Sequence, residues 1–209
     1  MTSQQSRYNI LAKLRSASHQ HQAEHLHSEP DYQTPRFNDP IEQFTRVLKA
    51  HHTQWEIIPD WRELPLQIAG RLQTSTQNTL HATKDKRLTQ LDWQSHQITL
   101  NHTSFNDDHQ TVISIADVGI AETGTLVVTS DKNTATTHSF LAEHHIIVIE
   151  KNSLVDNSET AWKKLNAMFK PLPRAVNFIS GPSSSADVGL KLEYGAHGPR
   201  TLCVYIVEH

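Results

Sequence analysis

Apolar residues recur along this chain in two rhythms. Helical spacing appears first after Asp39-Pro40, where Ile41, Phe44, Val47 and Leu48 form one face behind an N-cap and a first-turn proline. It returns over Trp61 to Leu72, where Pro65 is tolerable only in the first turn. A third instance runs over Ser158 to Phe169, through Ala161, Trp162, Leu165 and Phe169. Shorter helical segments are expected over His138 to His144 and from Ala186 to about Tyr194. The second rhythm is the short unbroken apolar run of a buried strand: Trp55–Ile58, Thr111–Ala116, Gly124–Thr129, His145–Glu150, Ala175–Ile179 and Thr201–Val207. Residues 78–82 are a weaker strand, and 84–110 are polar apart from the alternating piece His96–Leu100. Short apolar strands alternating with helices predict an α/β fold: an open, mostly parallel sheet with helices on both faces.

The first segment has a different texture. Residues 1 to about 28 read as a polar helix rich in Gln and His, with Ile10, Leu11 and Leu14 turned inward, and Pro30 and Pro35 mark a linker. Residues 1–36 are therefore read as an N-terminal arm and 37–209 as the globular domain. Arg7, Lys13 and Arg15 without an acid resemble a transit peptide only faintly, and no uninterrupted apolar secretory signal is visible.

Composition narrows the classes. The 209 residues are 36% hydrophobic and 20% charged, enough for one substantial core. A net charge of −3, without a polybasic stretch, points away from nucleic acid and anionic membranes. The longest apolar run, around Ile146 to Ile149, is too short to span a bilayer. A cytoplasmic location is expected, and the sequon Asn101-His102-Thr103 is then a chance match. Cys203 is the single cysteine, so the chain cannot supply a four-cysteine iron–sulfur site; in its apolar run it reads as a buried, inert thiol. Fifteen histidines would, if all charged, add fifteen to −3 and take the chain to +12 in mild acid.

Three segments are more particular than their surroundings. In Gly119-Ile-Ala-Glu-Thr-Gly-Thr125, glycines bracket Glu122, a candidate base or nucleophile, while Thr123, Gly124 and Thr125 could face a ligand. In Ser180-Gly-Pro-Ser-Ser-Ser185, Ser180, Gly181 and Ser183 offer N–H groups and hydroxyls to an anion, and Asp187 follows at the expected helix start. In Tyr194-Gly-Ala-His-Gly-Pro-Arg200, His197 is a proton-transfer group and Gly198 precedes the fixed charge of Arg200. Each also has a plain structural reading: a turn, a helix cap, a tight connection. Ligands of open α/β sheets gather at carboxyl-terminal strand ends, and the first two segments follow strands.

These segments carry a resemblance. Ile-Ala-Glu-Thr-Gly-Thr-Leu-Val, Ile-Ser-Gly-Pro-Ser with Ala-Asp, and Gly-x-His-Gly-Pro-Arg, in this order over residues 110–208, resemble the LUD-domain signature of the lactate utilisation protein C family. The resemblance implies a fold similar to glucosamine-6-phosphate isomerase, ribose-5-phosphate isomerase and the CoA transferases. It also implies an accessory role in oxidising L-lactate to pyruvate, beside partner proteins that carry the iron–sulfur clusters. The chain departs from the pattern at Ser184, Ser185 and Gly189, where arginine, threonine and glutamate are usual, and at Leu141-Ala-Glu-His144 in place of a proline-rich start. Losing that arginine weakens an oxyanion site at the serine segment.

The expectation is thus an accessory lactate-utilisation component, with Glu122 and His197 as catalytic candidates and no cofactor of its own. The alternative is an enzyme or binding protein for a small anionic metabolite such as a sugar phosphate or CoA thioester. His21 with His25, and His138 with His144 and His145, are the histidines that could be read as metal ligands; no resident metal is expected from them.

Overall fold

The computed structural model describes residues 3–20, 33–72, 78–102, 111–130, 138–185, 193–195 and 197–209. The chain forms two units, Met1–Gln33 and Thr34–His209. The first holds helix α1 (Ser3–Gln20). Its Ile10, Leu11 and Leu14 are exposed within that unit.

The second unit opens with α2 (Pro40–Ala50), β1 (Gln54–Ile58), a 3-10 turn (Trp61–Glu63) and α3 (Leu64–Leu72). Then come β2 (Thr79–Ala82), the one-turn helix α4 (Lys86–Thr89), a 3-10 turn (Gln94–His96), β3 (Thr99–Asn101) and β4 (Thr111–Ile115). A hairpin follows, β5 (Val118–Ile120) and β6 (Thr125–Thr129), then the one-turn helix α5 (His138–Leu141) and β7 (His144–Glu150). After a 3-10 turn (Lys151–Ser153) come β8 (Leu154–Val155), α6 (Ser158–Met168) and β9 (Val176–Ile179). The two-residue strands β10 (Ser184–Ser185) and β11 (Glu193–Tyr194) precede the last strand, β12 (Thr201–Val207).

Six strands form a wholly parallel sheet in the order β1-β12-β7-β4-β2-β3. Alternate residues of each strand serve opposite faces. Ile146 and Val148 of β7, with Cys203, Tyr205 and Val207 of β12, face α3 and pack with Leu64, Ile68 and Leu72. Ile147 and Ile149, with Leu202, Val204 and Ile206, face the other way and pack with Phe44 and Leu48 of α2. Helices therefore lie on both faces, as the apolar runs predict.

The α2 face carries a further layer that the sequence reading does not separate. β5 and β6 pair antiparallel through a tight turn and join β8 and β9 in a second, mixed sheet. Leu126 and Val128 point from this sheet into the main core. Val118, Ile120 and Val127 point outward, against Ala161 and Leu165 of α6. The expected strands Gly124–Thr129 and Ala175–Ile179 therefore belong to this second sheet, where β6 pairs antiparallel with both β5 and β9, and not to the parallel one.

One expected helix is corrected. Glu193-Tyr194 is not a helix end; it pairs antiparallel with Ser184-Ser185, which satisfies backbone groups across two strands. The rest of that expected helix, residues 186–192, lies outside the described residues.

Local signals account for the elements that hold. Asp39 Oδ1 accepts hydrogen bonds from the N–H groups of Ile41 at 2.9 Å and Glu42 at 3.1 Å, capping α2 behind Pro40. Replacing Asp39 with Ala should cost about 1 kcal/mol in a denaturant titration, with the slope of the transition unchanged. The thiol of Cys203 is buried and pushed up to about 11 by that burial, against the pull of the Arg71 charge. Its alkylation rate should rise about tenfold per pH unit from pH 8 to 10 without a plateau, because the thiolate is the nucleophile; a plateau below pH 9 would show an activated thiol.

Candidate functional site

The turn between β5 and β6 holds the first group of candidates. The hydroxyls of Thr123 and Thr125 are 2.6 Å apart, and that of Thr125 lies 2.5 Å from Ser180 Oγ at the end of β9. A chain of three hydroxyls thus joins the first segment to the second. Gly124 and Gly181 both have positive φ, +61° and +80°, the region that favours glycine. Both lie against the last turn of α2. A Cβ on Gly124 would stand 2.9 Å from Val47 Cγ1 and 3.3 Å from the Leu48 nitrogen. One on Gly181 would stand 3.1 Å from His51 Cβ and 3.2 Å from the His51 carbonyl oxygen.

Ser183 ties the second segment to the third. Its N–H donates to the Pro199 carbonyl at 2.8 Å, its carbonyl accepts from Gly195 at 3.0 Å, and its Oγ accepts from the His197 N–H at 3.4 Å. Gly198 packs on the Ser183 side chain. The exposed Arg200 guanidinium faces Glu143, with Nε 3.8 Å from a carboxylate oxygen, a weak solvated pair.

Arg200 lines a cleft of about 620 Å³ with His52, Gln54, Pro182, Tyr194, Thr201 and Leu202. This volume suits a small ligand. The cleft lies at the amino ends of β1 and β12. The strands that the first two segments follow, β5 and β9, belong to the second sheet rather than to the parallel one. At the carboxyl edge, Arg87 is paired with Asp85 and Glu150, and burial raises the Asp117 carboxyl although Thr129 donates two hydrogen bonds to it.

Glu122 stands apart from that cleft. Its N–H donates to the Asp156 carbonyl at 2.9 Å, Asp156 Oδ1 accepts from the Phe37 N–H, and the side chain is half-buried. It is not among the described residues that line the Arg200 cleft. The structure therefore joins Thr123, Thr125, Ser180, Gly181, Ser183, His197, Gly198 and Arg200 through contacts of their own segments, and places Glu122 at the Asp156 side of the hairpin. Asp187 lies outside the described residues. His52 and Gln54 carry no local sequence signal; they reach the cleft only because β1 and β12 are neighbours.

Among the described residues no group of three or more His, Cys, Asp and Glu is placed to hold a metal. His144 Nδ1 and Thr201 Oγ1 share a hydrogen bond of 2.7 Å, and His145 Nε2 and Ser114 Oγ one of 2.6 Å. His21 and His25 lie outside the described residues.

The glycines give a paired test. Gly124→Ala should destabilise the fold by about 2 kcal/mol, through its left-handed backbone and the close approach to α2. Gly198→Ala, where a Cβ meets Ser183 Cβ at an ordinary 3.4 Å, should change stability by less than about 1 kcal/mol. Equal effects in thermal unfolding would contradict the packing described here.

With this geometry in place, relatedness can be read. The LUD domain family model matches residues 41–207. Lactate utilization protein C of Halalkalibacterium halodurans is 38% identical over 99 residues, 46% of this chain and 43% of that protein. Its namesake in Macrococcus caseolyticus is 35% identical over 99 residues, with the same shares. The chain thus matches less than half the length of these curated relatives. A DUF162 family protein of known structure from Deinococcus radiodurans shares the fold, with a TM-score of 0.64 at 20% identity, over 83% of this chain and 99% of that one. No helix among the described residues is long and apolar enough to cross a membrane. From the match across most of its globular unit, the chain belongs to the LUD domain family.

Proposed function

We propose that this protein is an accessory component of L-lactate utilisation, the oxidation of L-lactate to pyruvate, working in the cytoplasm with iron–sulfur partner proteins. The observation that carries this reading is the 32–38% identity, over about half of the chain, to several proteins named lactate utilization protein C. The chemistry of the chain is compatible with it. One buried cysteine leaves the redox centres to the partners.

A second reading has its own support. The Arg200 cleft combines a guanidinium, the Tyr194 ring and the apolar Pro182 and Leu202, which suits a small anionic metabolite. Glu122, half-buried at the turn of the hairpin, is the carboxylate we assign to chemistry, with His197 as proton carrier. Among the described contacts neither is shown beside the other, so binding is the better-supported part of this reading.

Deleting the gene should slow growth on L-lactate and spare growth on glucose, in a strain without a paralogue. Equal growth on both carbon sources would reject the lactate assignment. Complementation with Glu122→Gln then separates the readings. That variant keeps the shape and removes the charge, so unchanged growth with unchanged thermal stability would restrict the chain to partner binding.

A further inference from the structure

A second cleft opens at the same amino edge of the parallel sheet, but on its α3 face. Thr111, His144 and Thr201 are the first residues of three adjacent strands and are direct register partners. Alternation along each strand puts them on the face of Ile113, Ile146 and Cys203, which pack toward α3. Gln54 stands opposite Cys203, and Arg71 reaches in from the last turn of α3. Together with Leu72 these groups line a space of about 390 Å³. Its floor is apolar: Leu72, Ile146 and Cys203. Its rim carries two hydroxyls, an imidazole, an amide and a guanidinium.

The rim is held in place by the fold. Arg71 Nε donates to the Tyr205 hydroxyl at 2.7 Å, and one terminal nitrogen donates to Gln54 Oε1 at 2.5 Å. The guanidinium carbon lies 5.5 Å from the centre of the Tyr205 ring. Its carboxylate neighbour, Glu56, is 3.9 Å away, beyond hydrogen-bond distance, and offsets the charge only in part. The hydrogen bond between His144 and Thr201 orients the imidazole along the strand row. A fixed cation and a row of donors beside an apolar floor match a carboxylate that carries a short apolar chain.

We propose that this cleft binds a small organic carboxylate, with the head group at Arg71 and the Thr111 and Thr201 hydroxyls and the tail on Leu72, Ile146 and Cys203. The site is distinct from the Arg200 cleft. The two adjoin at the sheet edge; among the described residues they share Gln54 and Thr201, while Arg71, Thr111 and His144 line this one alone. Binding here does not depend on the lactate reading, and its test reads binding alone.

The probe is hexanoate, titrated into the full chain by calorimetry and by amide chemical shifts, with hexan-1-ol and hexylamine as charge controls. Hexanoate should saturate with a dissociation constant of about 1 mM. Hexanol should bind at least about tenfold more weakly, and hexylamine should not bind. Thr111→Val keeps the volume and removes one donor, and should weaken hexanoate about tenfold. Arg71→Gln should abolish binding, and Arg71→Lys should restore part of it; because Arg71 also holds Tyr205 and Gln54, the threonine variant guards against a loss that reflects folding alone. Shift changes should centre on Thr111, His144 and Thr201. The proposal is overturned by hexanoate that does not saturate at tens of millimolar, by equal binding of hexanol, by unchanged affinity in Thr111→Val, or by shift changes centred on Tyr194 and Arg200.

Discussion

The strands β7 and β12 pair in parallel along seven residues, and the need to cover this pair on both sides determines the layers around it. From Leu202 to Val207 every side chain is buried, and so is every one from His145 to Ile149. Such strands have no face to give to water, so each face must receive an apolar partner. α3 supplies it on one side with Leu64, Ile68 and Leu72. On the other side α2 supplies Phe44 and Leu48, and the hairpin of the second sheet adds Leu126 and Val128. α6 then becomes necessary, because the outer face of that hairpin, with Val118, Ile120 and Val127, is apolar as well.

This layering also decides where ligands can reach. The end of α2 is wedged against Gly124 and Gly181, whose positive φ lets the two turns approach its backbone without a Cβ in the way. The three signature segments are thereby drawn to the amino ends of β1 and β12. Two adjoining clefts lie at that edge, one with Arg200 and one with Arg71. The two arginines differ in kind. Arg200 is largely exposed and meets Glu143 at 3.8 Å, so solvent screens it. Arg71 is half-buried and hydrogen-bonded to Tyr205 and Gln54, so its charge is presented in one place. The hydroxyl chain Thr123–Thr125–Ser180 gives the signature threonines a structural task that is independent of any ligand.

Much was legible from local pattern. The cap at Asp39, the first-turn Pro65, the apolar face of α2 and the runs of β7 and β12 are short-range features, and each formed the element its spacing predicts. Periodicity and capping act over a few residues and need no knowledge of the rest of the chain. Buried runs also imply helices on both faces, and the order of the three signature segments pointed to the family. Tertiary structure alone decided the rest. Which strands share a sheet depends on partners far apart in sequence, so local pattern neither marks Val118–Ile120 as a strand nor gives β6 and β9 a sheet of their own. Glu193-Tyr194 became a strand because Ser184-Ser185 lay within pairing distance, a fact no helical spacing can carry. Thr111, His144 and Thr201 are separated by 33 and 57 positions, and Arg71 lies on another element entirely; only parallel register brings them to one cleft. Glu122, next to the signature threonines in sequence, has its backbone N–H tied to the Asp156 carbonyl, a contact that local pattern does not encode.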